Sequence, residues 1–180
     1  GVPLCVDEAY LDYNVDRPSK VSLIKDYPQV FLSVTFSKAY GFAGVRFGFV
    51  LGTEEMIAAF NRMFLPWNVS VMSAAAAEAI IDNPEEVKAK VEHNNKWMAV
   101  FTEELKNLGL KPYPANGNYM LIDGTMTGKT TEEIIAAALD QNIYLKKIGE
   151  LHGKTGYFRV TPGTDEENER FIKFIKSYFG

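Results

Sequence analysis

Cysteine is almost absent from this chain. Cys5 is the only one in 180 residues, so no disulfide can close within it, and small bridge-stapled folds are excluded. Histidine is nearly as scarce: His93 and His152 lie far apart with no cysteine near them, so no metal site follows from their placement. Long apolar runs are missing too. None approaches the roughly 20 residues that a membrane-spanning helix needs, and no signal-peptide pattern is visible, so the expected setting is cytoplasmic with no membrane partner. Neither sign of charge prevails. The 19 basic and 23 acidic residues are interspersed and leave a net charge of −4, which argues against a nucleic-acid surface. Repeats and low-complexity tracts do not occur. What remains is 47% apolar and 23% charged, the composition of a globular protein with one substantial core or two small ones.

The apolar residues fall into short runs and periodic stretches that alternate along the chain. Residues 3–6 carry a buried-strand signal that stops at Asp7-Glu8-Ala9-Tyr10. Residues 30–36, rich in β-branched and aromatic side chains, and 46–51, closed by Gly52, read as two more strands. From Thr53 the period becomes helical, with Met56, Ile57, Phe60 and Phe64 on one face and Glu54 and Glu55 in the first turn. An alanine-rich helix is predicted over residues 71–81. A long one is predicted from Pro84, a favourable first helical residue, to about residue 108, before Gly109. Strand signals follow at 119–122, 143–145 and 157–160, interleaved with two helices opened by the capping boxes Thr130-x-x-Glu133 and Thr164-x-x-Glu167. Strands alternating with helices imply an α/β fold. Two regions are expected, residues 1–83 and residues 84–180, the second beginning with the long helix.

One stretch stands apart. Lys38 follows an apolar run, where a lysine ordinarily just reaches solvent. Here Thr35 and Ser37 flank it with hydroxyls, Arg46 adds a fixed guanidinium suited to phosphate, and Gly41, Ala43 and Gly44 let a ligand approach the backbone. Hydroxyls and arginine make a phosphate cradle, and a lysine beside them can form an imine with an aldehyde. Pyridoxal phosphate carries both groups in one molecule. Such a cofactor needs a carboxylate to keep its pyridine nitrogen protonated. Asp7, at the end of the first strand, is the candidate, although Asp7-Glu8-Ala9-Tyr10 taken alone reads as an acidic loop. Ligands of open α/β sheets bind beyond the carboxyl ends of strands, where both Asp7 and Lys38 stand. Tyr10 comes within reach of the cofactor's ring hydroxyl if the chain turns after the strand. Arg159, in an apolar strand, needs a buried anion, which is either a ligand or a structural ion-pair partner.

Three motifs now connect. Asp7-Glu8-Ala9-Tyr10, then Ser37-Lys38 with Gly41-Phe42-Ala43-Gly44-Val45-Arg46, then Phe158-Arg159-Val160-Thr161-Pro162-Gly163-Thr164, resemble in order and spacing those of the fold-type I pyridoxal-phosphate aminotransferases. The histidinol-phosphate aminotransferase family is the branch most resembled. The resemblance implies the C-terminal part of such a transferase. Residues 1–83 would end the large cofactor domain, and residues 84–180 would form the connecting helix and the small α/β domain. It makes Lys38 the Schiff-base lysine, Asp7 the partner of the pyridine nitrogen and Tyr10 the partner of the ring hydroxyl. Thr35, Ser37 and Arg46 become phosphate ligands, and Arg159 the holder of the substrate α-carboxylate. The implied reaction moves an amino group between an amino acid or amine and a 2-oxo acid, with pyridoxal 5'-phosphate as cofactor and a homodimer as the working unit. The family also carries a preceding segment of comparable size, with a glycine-rich phosphate turn, a ring-stacking aromatic and an asparagine, and no stretch here matches it. By itself the chain is therefore expected to be inactive. Two alternatives accompany this reading: a decarboxylase resembling threonine-phosphate decarboxylase, and a noncatalytic fragment that keeps the fold.

Other signals lead elsewhere or nowhere. Gly124 to Thr130 resembles a nucleotide-binding loop, but Asp123 occupies the position that a P-loop gives to glycine. Asn68-Val69-Ser70 matches a glycosylation sequon without a secretory context. The histidinol-phosphate branch usually has an arginine for substrate phosphate before its final motif. Residues 144–149 offer Lys146 and Lys147 there instead, as point charges without a bidentate fork.

Overall fold

Leu4–Asp7 is strand β1 in a computed structural model that describes residues 1–180. A crossover containing the one-turn helix α1, Leu23–Asp26, leads to β2, Val30–Thr35. The two strands run parallel, with Leu4 opposite Val30 and Asp7 opposite Ser33. Strand β3, Gly48–Leu51, returns antiparallel on the other side of β2, so β2 is central in the order β1-β2-β3. The burial along β2 alternates at its start, as in a strand with one buried face: Val30 and Leu32 are buried, Phe31 and Ser33 half-buried. Helix α2, Glu54–Asn61, is capped by Thr53, whose hydroxyl accepts from the Met56 N–H, and Phe60 meets Phe31 edge-on at 5.0 Å. The helical period expected to include Phe64 stops short. The helix ends at Asn61, and Phe64 lies beyond it, exposed. Helix α3, Val71–Ile81, is capped by Ser70, and α4, Pro84–Asn107, follows at once. Phe36, Ala77 and Ile80 form a small core, with Tyr40, Phe42, Phe47 and Val87 packed against it.

The chain divides into two compact units, Gly1–Val91 and Glu92–Gly180, with the boundary inside α4. The second unit holds a four-stranded antiparallel sheet in the order β4-β5-β7-β6. Its elements are β4 (Lys111–Pro112), β5 (Met120–Asp123), helix α5 (Thr131–Leu139), β6 (Lys146–Leu151), β7 (Lys154–Val160) and helix α6 (Asp165–Phe179). Phe101 and Leu105 of α4, Ile122 of β5, Ile134 of α5, Phe158 of β7 and Phe174 and Ile175 of α6 are fully buried together. Both expected capping boxes are formed: the Thr130 and Thr164 hydroxyls accept from the Glu133 and Glu167 N–H groups, and each glutamate accepts back from the cap's N–H.

One expected strand is misplaced. Residues 143–145 do not pair; the strand begins at Lys146, after Asn142 takes a left-handed backbone with φ 56°. Ile143 and Leu145 are apolar because they pack on the core, and burial without a ladder produces the same alternation as a strand.

Thr131, fully buried at the start of α5, ties the helix to the β6–β7 hairpin. Its Oγ1 accepts from the Gly156 N–H at 2.8 Å and donates to the Tyr157 carbonyl at 3.2 Å. Thr131→Val keeps the shape but leaves the Gly156 N–H without an acceptor, and a buried unpaired donor costs about 1–3 kcal/mol. Urea unfolding should show a loss of that size. A change below about 0.5 kcal/mol, typical of neutral surface substitutions, would contradict this role.

Candidate active site

The Lys38 loop begins where β2 ends, and Phe36 anchors it. Fully buried, Phe36 lies 4.5 Å from Tyr40 with the rings tilted at 33° and meets Phe47 edge-on at 5.0 Å, burial that stabilises by about 1.5–3 kcal/mol. The strand ends at Thr35, and the backbone bends from Phe36 through Lys38. The Ser37 N–H donates to Thr35 Oγ1 at 3.1 Å, and Ser37 Oγ makes no hydrogen bond of its own. Residues 38–41 then turn, the Gly41 N–H reaching the Lys38 carbonyl at 2.9 Å, with Gly41 at φ 78°, a conformation natural to glycine. Lys90 Nζ holds the Tyr40 carbonyl at 3.3 Å. Opposite Thr35, Gly48 permits close approach, since a Cβ there would lie 2.7 Å from the Val34 carbonyl oxygen. Lys38 itself is half-buried and has no ion pair. Its Nζ lies 5.3 Å from the centre of the Tyr10 ring.

Asp7 is exposed at the carboxyl end of β1. Its Oδ1 accepts from the Ala9 N–H at 2.9 Å, and its other oxygen is uncommitted. The next residue was not singled out by its sequence. Glu8 is buried, its N–H bonds to the Ser33 carbonyl of β2, and its carboxylate takes the Ser19 hydroxyl at 2.8 Å and the Lys20 N–H at 2.6 Å. It straps the returning loop to the strand end and so fixes where Asp7 and Tyr10 stand. Burial pushes the Asp12 carboxyl upward; a hydrogen bond from its own backbone opposes this, and the Glu8 charge adds to the rise. The Tyr13 phenol is pushed up to about 12, by burial first and then by the Asp12 and Tyr10 charges.

Arg46 closes the same loop. After a 3₁₀ turn at Ala43–Val45 it adopts a left-handed backbone, φ 56° and ψ 50°, a conformation that disfavours a side-chain-bearing residue by roughly 1–2 kcal/mol. One guanidinium nitrogen donates to the Ala43 carbonyl at 2.7 Å, and the remaining N–H groups point to exposed surroundings.

Asp7, Tyr10, Thr35, Ser37, Lys38 and Arg46 thus belong to the first unit, and Arg159 to the second. Arg159 lies half-buried in β7, opposite Leu121 on one side and Lys146 on the other. Its guanidinium sits 4.4 Å over the Tyr119 ring, its buried Nε has no hydrogen-bond partner, and no carboxylate pairs with it. The structural ion pair that sequence left open has no partner here. The two lysines of β6 also part company. Lys147 Nζ is bound to Glu132 of α5 at 2.6 Å, whereas Lys146, opposite Arg159, has no ion pair.

Lys38, without an ion pair, and Asp7, with an uncommitted oxygen, thus stand beyond neighbouring strand ends of an α/β sheet. The sequence profile described as aminotransferase class I and II matches residues 1–175, and the chain belongs to that family. It is 33% identical over 177 residues to the histidinol-phosphate aminotransferase of Brevibacillus brevis, covering 97% of this chain and 48% of that protein. It is 31% identical over 177 residues to the aromatic amino acid aminotransferase of Mycobacterium tuberculosis, with the same coverage. The crystal structure of histidinol-phosphate aminotransferase from Sinorhizobium meliloti, in complex with pyridoxal-5'-phosphate, matches with a TM-score of 0.84 at 25% identity, over 97% of this chain and 49% of that one. The fold is therefore that of part of a fold-type I transferase. The chain spans about half the length of the curated relatives it matches.

The Tyr13 shift has a sign that can be tested. An unfolded tyrosine ionises at about 10 and the folded one near 12, so the stability it supplies is complete below pH 10 and is lost as pH rises through 12. In an ultraviolet phenolate titration, Tyr13→Phe should remove one tyrosine from the late-ionising phase, and Asp12→Asn should move that tyrosine to lower pH. A late phase unaltered by Tyr13→Phe would contradict the assignment.

Proposed function

We propose that this chain supplies the lysine-bearing half of a pyridoxal-phosphate-dependent aminotransferase that exchanges an amino group between an amino acid or amine and a 2-oxo acid. The observation that carries this reading is Lys38: a half-buried lysine without a counter-ion, beside the end of the strand that carries Asp7. The donor set suits the cofactor. Asp7 has a free carboxylate oxygen for the pyridine nitrogen, and Ser37 Oγ and most Arg46 N–H groups are open to a phosphate, with Thr35 beside them. Tyr10, next to Lys38, would meet the ring hydroxyl. In this reading residues 1–83 complete the large cofactor domain and residues 84–180 form the connecting helix and small domain. The rest of the site comes from the half of the relatives' length that this chain does not span, and the isolated chain is inactive. A homodimer in the cytoplasm goes with the same reading.

When bound, pyridoxal phosphate supplies an electron sink for the charge left at the substrate α-carbon. The protein's residues do the rest. Lys38 Nζ would hold the cofactor's aldehyde carbon and, as general base and then general acid, would move a proton between the substrate α-carbon and that carbon. Asp7 holds the ring nitrogen in its protonated form, which keeps the sink effective. Arg159, with no protein carboxylate to satisfy it, binds the substrate α-carboxylate. Lys146 is the β6 lysine left free for a second anionic group, as a point charge.

The test is steady-state kinetics of the enzyme that contains this chain. Lys38→Ala should abolish amino transfer. Arg159→Lys should lower kcat/KM for amino acids by about tenfold or more, the worth of one charged hydrogen bond, with cofactor affinity nearly unchanged. Normal turnover in Lys38→Ala, or release of carbon dioxide in place of amino transfer, would overturn the reading.

A further inference from the structure

Ser73 is one of the few buried polar residues of the first unit. It sits in the first turn of α3, and its hydroxyl reaches away from its own helix to the carbonyl of Val45 at 2.6 Å. A second hydroxyl stands behind it: Ser70 Oγ lies 2.8 Å from Ser73 Oγ and accepts from the Ser73 N–H at 3.0 Å. The direction of this relay is fixed by proton count. A carbonyl can only accept, so the one proton of Ser73 goes to Val45, and Ser70 must donate to Ser73. The peptide unit that the relay grips joins Val45 to Arg46, and the torsion on its far side is the left-handed φ of Arg46.

We propose that Ser73 is a positioning residue for phosphate binding: by holding the Val45 carbonyl it keeps Arg46 in its left-handed backbone, which sets the direction in which the guanidinium leaves the chain. This rests on the reading of Arg46 as a ligand of the cofactor phosphate. One local contact and one tertiary contact bear on the conformation. Arg46 is not glycine, and the local contact is its own side chain, which bonds the Ala43 carbonyl of the turn before it. The Ser73 bond, made across 28 residues of sequence, is the tertiary contact that over-determines it. The consequence is specific. Loss of the hydroxyl should weaken recognition of a phosphate group while leaving the reactivity of Lys38 toward an aldehyde unchanged.

The experiment compares two aldehydes, pyridoxal 5'-phosphate and pyridoxal, which differ only in the phosphate. The cofactor-free enzyme that contains this chain is treated with each over a range of concentrations, reduced with borohydride, and the adduct at Lys38 quantified by peptide mass spectrometry. The wild-type chain should favour the phosphorylated aldehyde by about tenfold, as one charge-assisted contact would give. Arg46→Ala should remove most of that preference. Ser73→Ala should reduce it by at least about threefold, toward the Arg46→Ala value, because a general loosening of the fold would weaken both aldehydes alike. If Ser73→Ala does not fold, Ser73→Cys, of similar size but a weak donor, serves in its place with the same expected direction. A normal preference in the folded Ser73 variant, together with a lost one in Arg46→Ala, overturns the role of Ser73 and leaves the phosphate reading intact. A normal preference in Arg46→Ala, or none in the wild-type chain, overturns the phosphate reading and this inference with it.

Discussion

Parallel pairing of β1 with β2 is the constraint on which the rest of the candidate site depends. The register sets Asp7 opposite Ser33, two residues before β2 ends at Thr35, so the carboxylate and the Lys38 loop leave from adjacent strand ends. Neighbouring strands lie about 4.8 Å apart, so the two chain segments leave the sheet side by side. A slip of one residue would turn every side chain of β1 to the opposite face and leave Asp7 directed into the sheet's other side. The central position of β2, with β1 parallel on one edge and β3 antiparallel on the other, opposes such a slip.

Holding the loops in place falls to residues that do no chemistry themselves. Phe36 buries the odd side chain between two hydroxyl residues, Glu8 straps the loop after β1, Gly48 lets β3 approach β2, and Ser73 grips the peptide before Arg46. Each acts on backbone rather than on a reacting atom. In the second unit Arg159 lies over the Tyr119 ring, its Nε without a hydrogen-bond partner. A buried Nε without a hydrogen-bond partner is unfavourable, and it is the one such side-chain atom in the chain.

Much of this was legible in the sequence because it is local. The bounds of α3, the start of α4 at Pro84 and both capping boxes follow from residues within a turn of each other. That Asp7 ends one strand and Lys38 follows another was legible because each polar run begins where an apolar strand signal stops. The failures have a common cause. Residues 143–145 look like a strand because they pack on the core, and no local pattern tells packing from pairing. Strand β4, two residues long and ending in Pro112, carries no period to read. Phe64 continued the helical spacing of α2, but the helix had already ended at Asn61. Glu8 and Ser73 were missed because their partners, Ser19, Lys20 and Val45, are distant in sequence, and a glutamate or serine gives no sign of such a contact. The open choice at Arg159 was of the same kind, since only the assembled sheet reveals that no carboxylate faces it.

The central claim is that the ends of β1 and β2 form one cofactor platform, with Lys38 as its covalent anchor and Asp7 as its charge partner. A crystal structure of the enzyme containing this chain, determined with pyridoxal phosphate, tests it most directly. The account predicts continuous density from Lys38 Nζ to the cofactor, an Asp7 carboxylate oxygen within hydrogen-bond distance of the pyridine nitrogen, and the phosphate against Ser37 and Arg46. Cofactor joined to another lysine, or a ring nitrogen without Asp7 beside it, would contradict it.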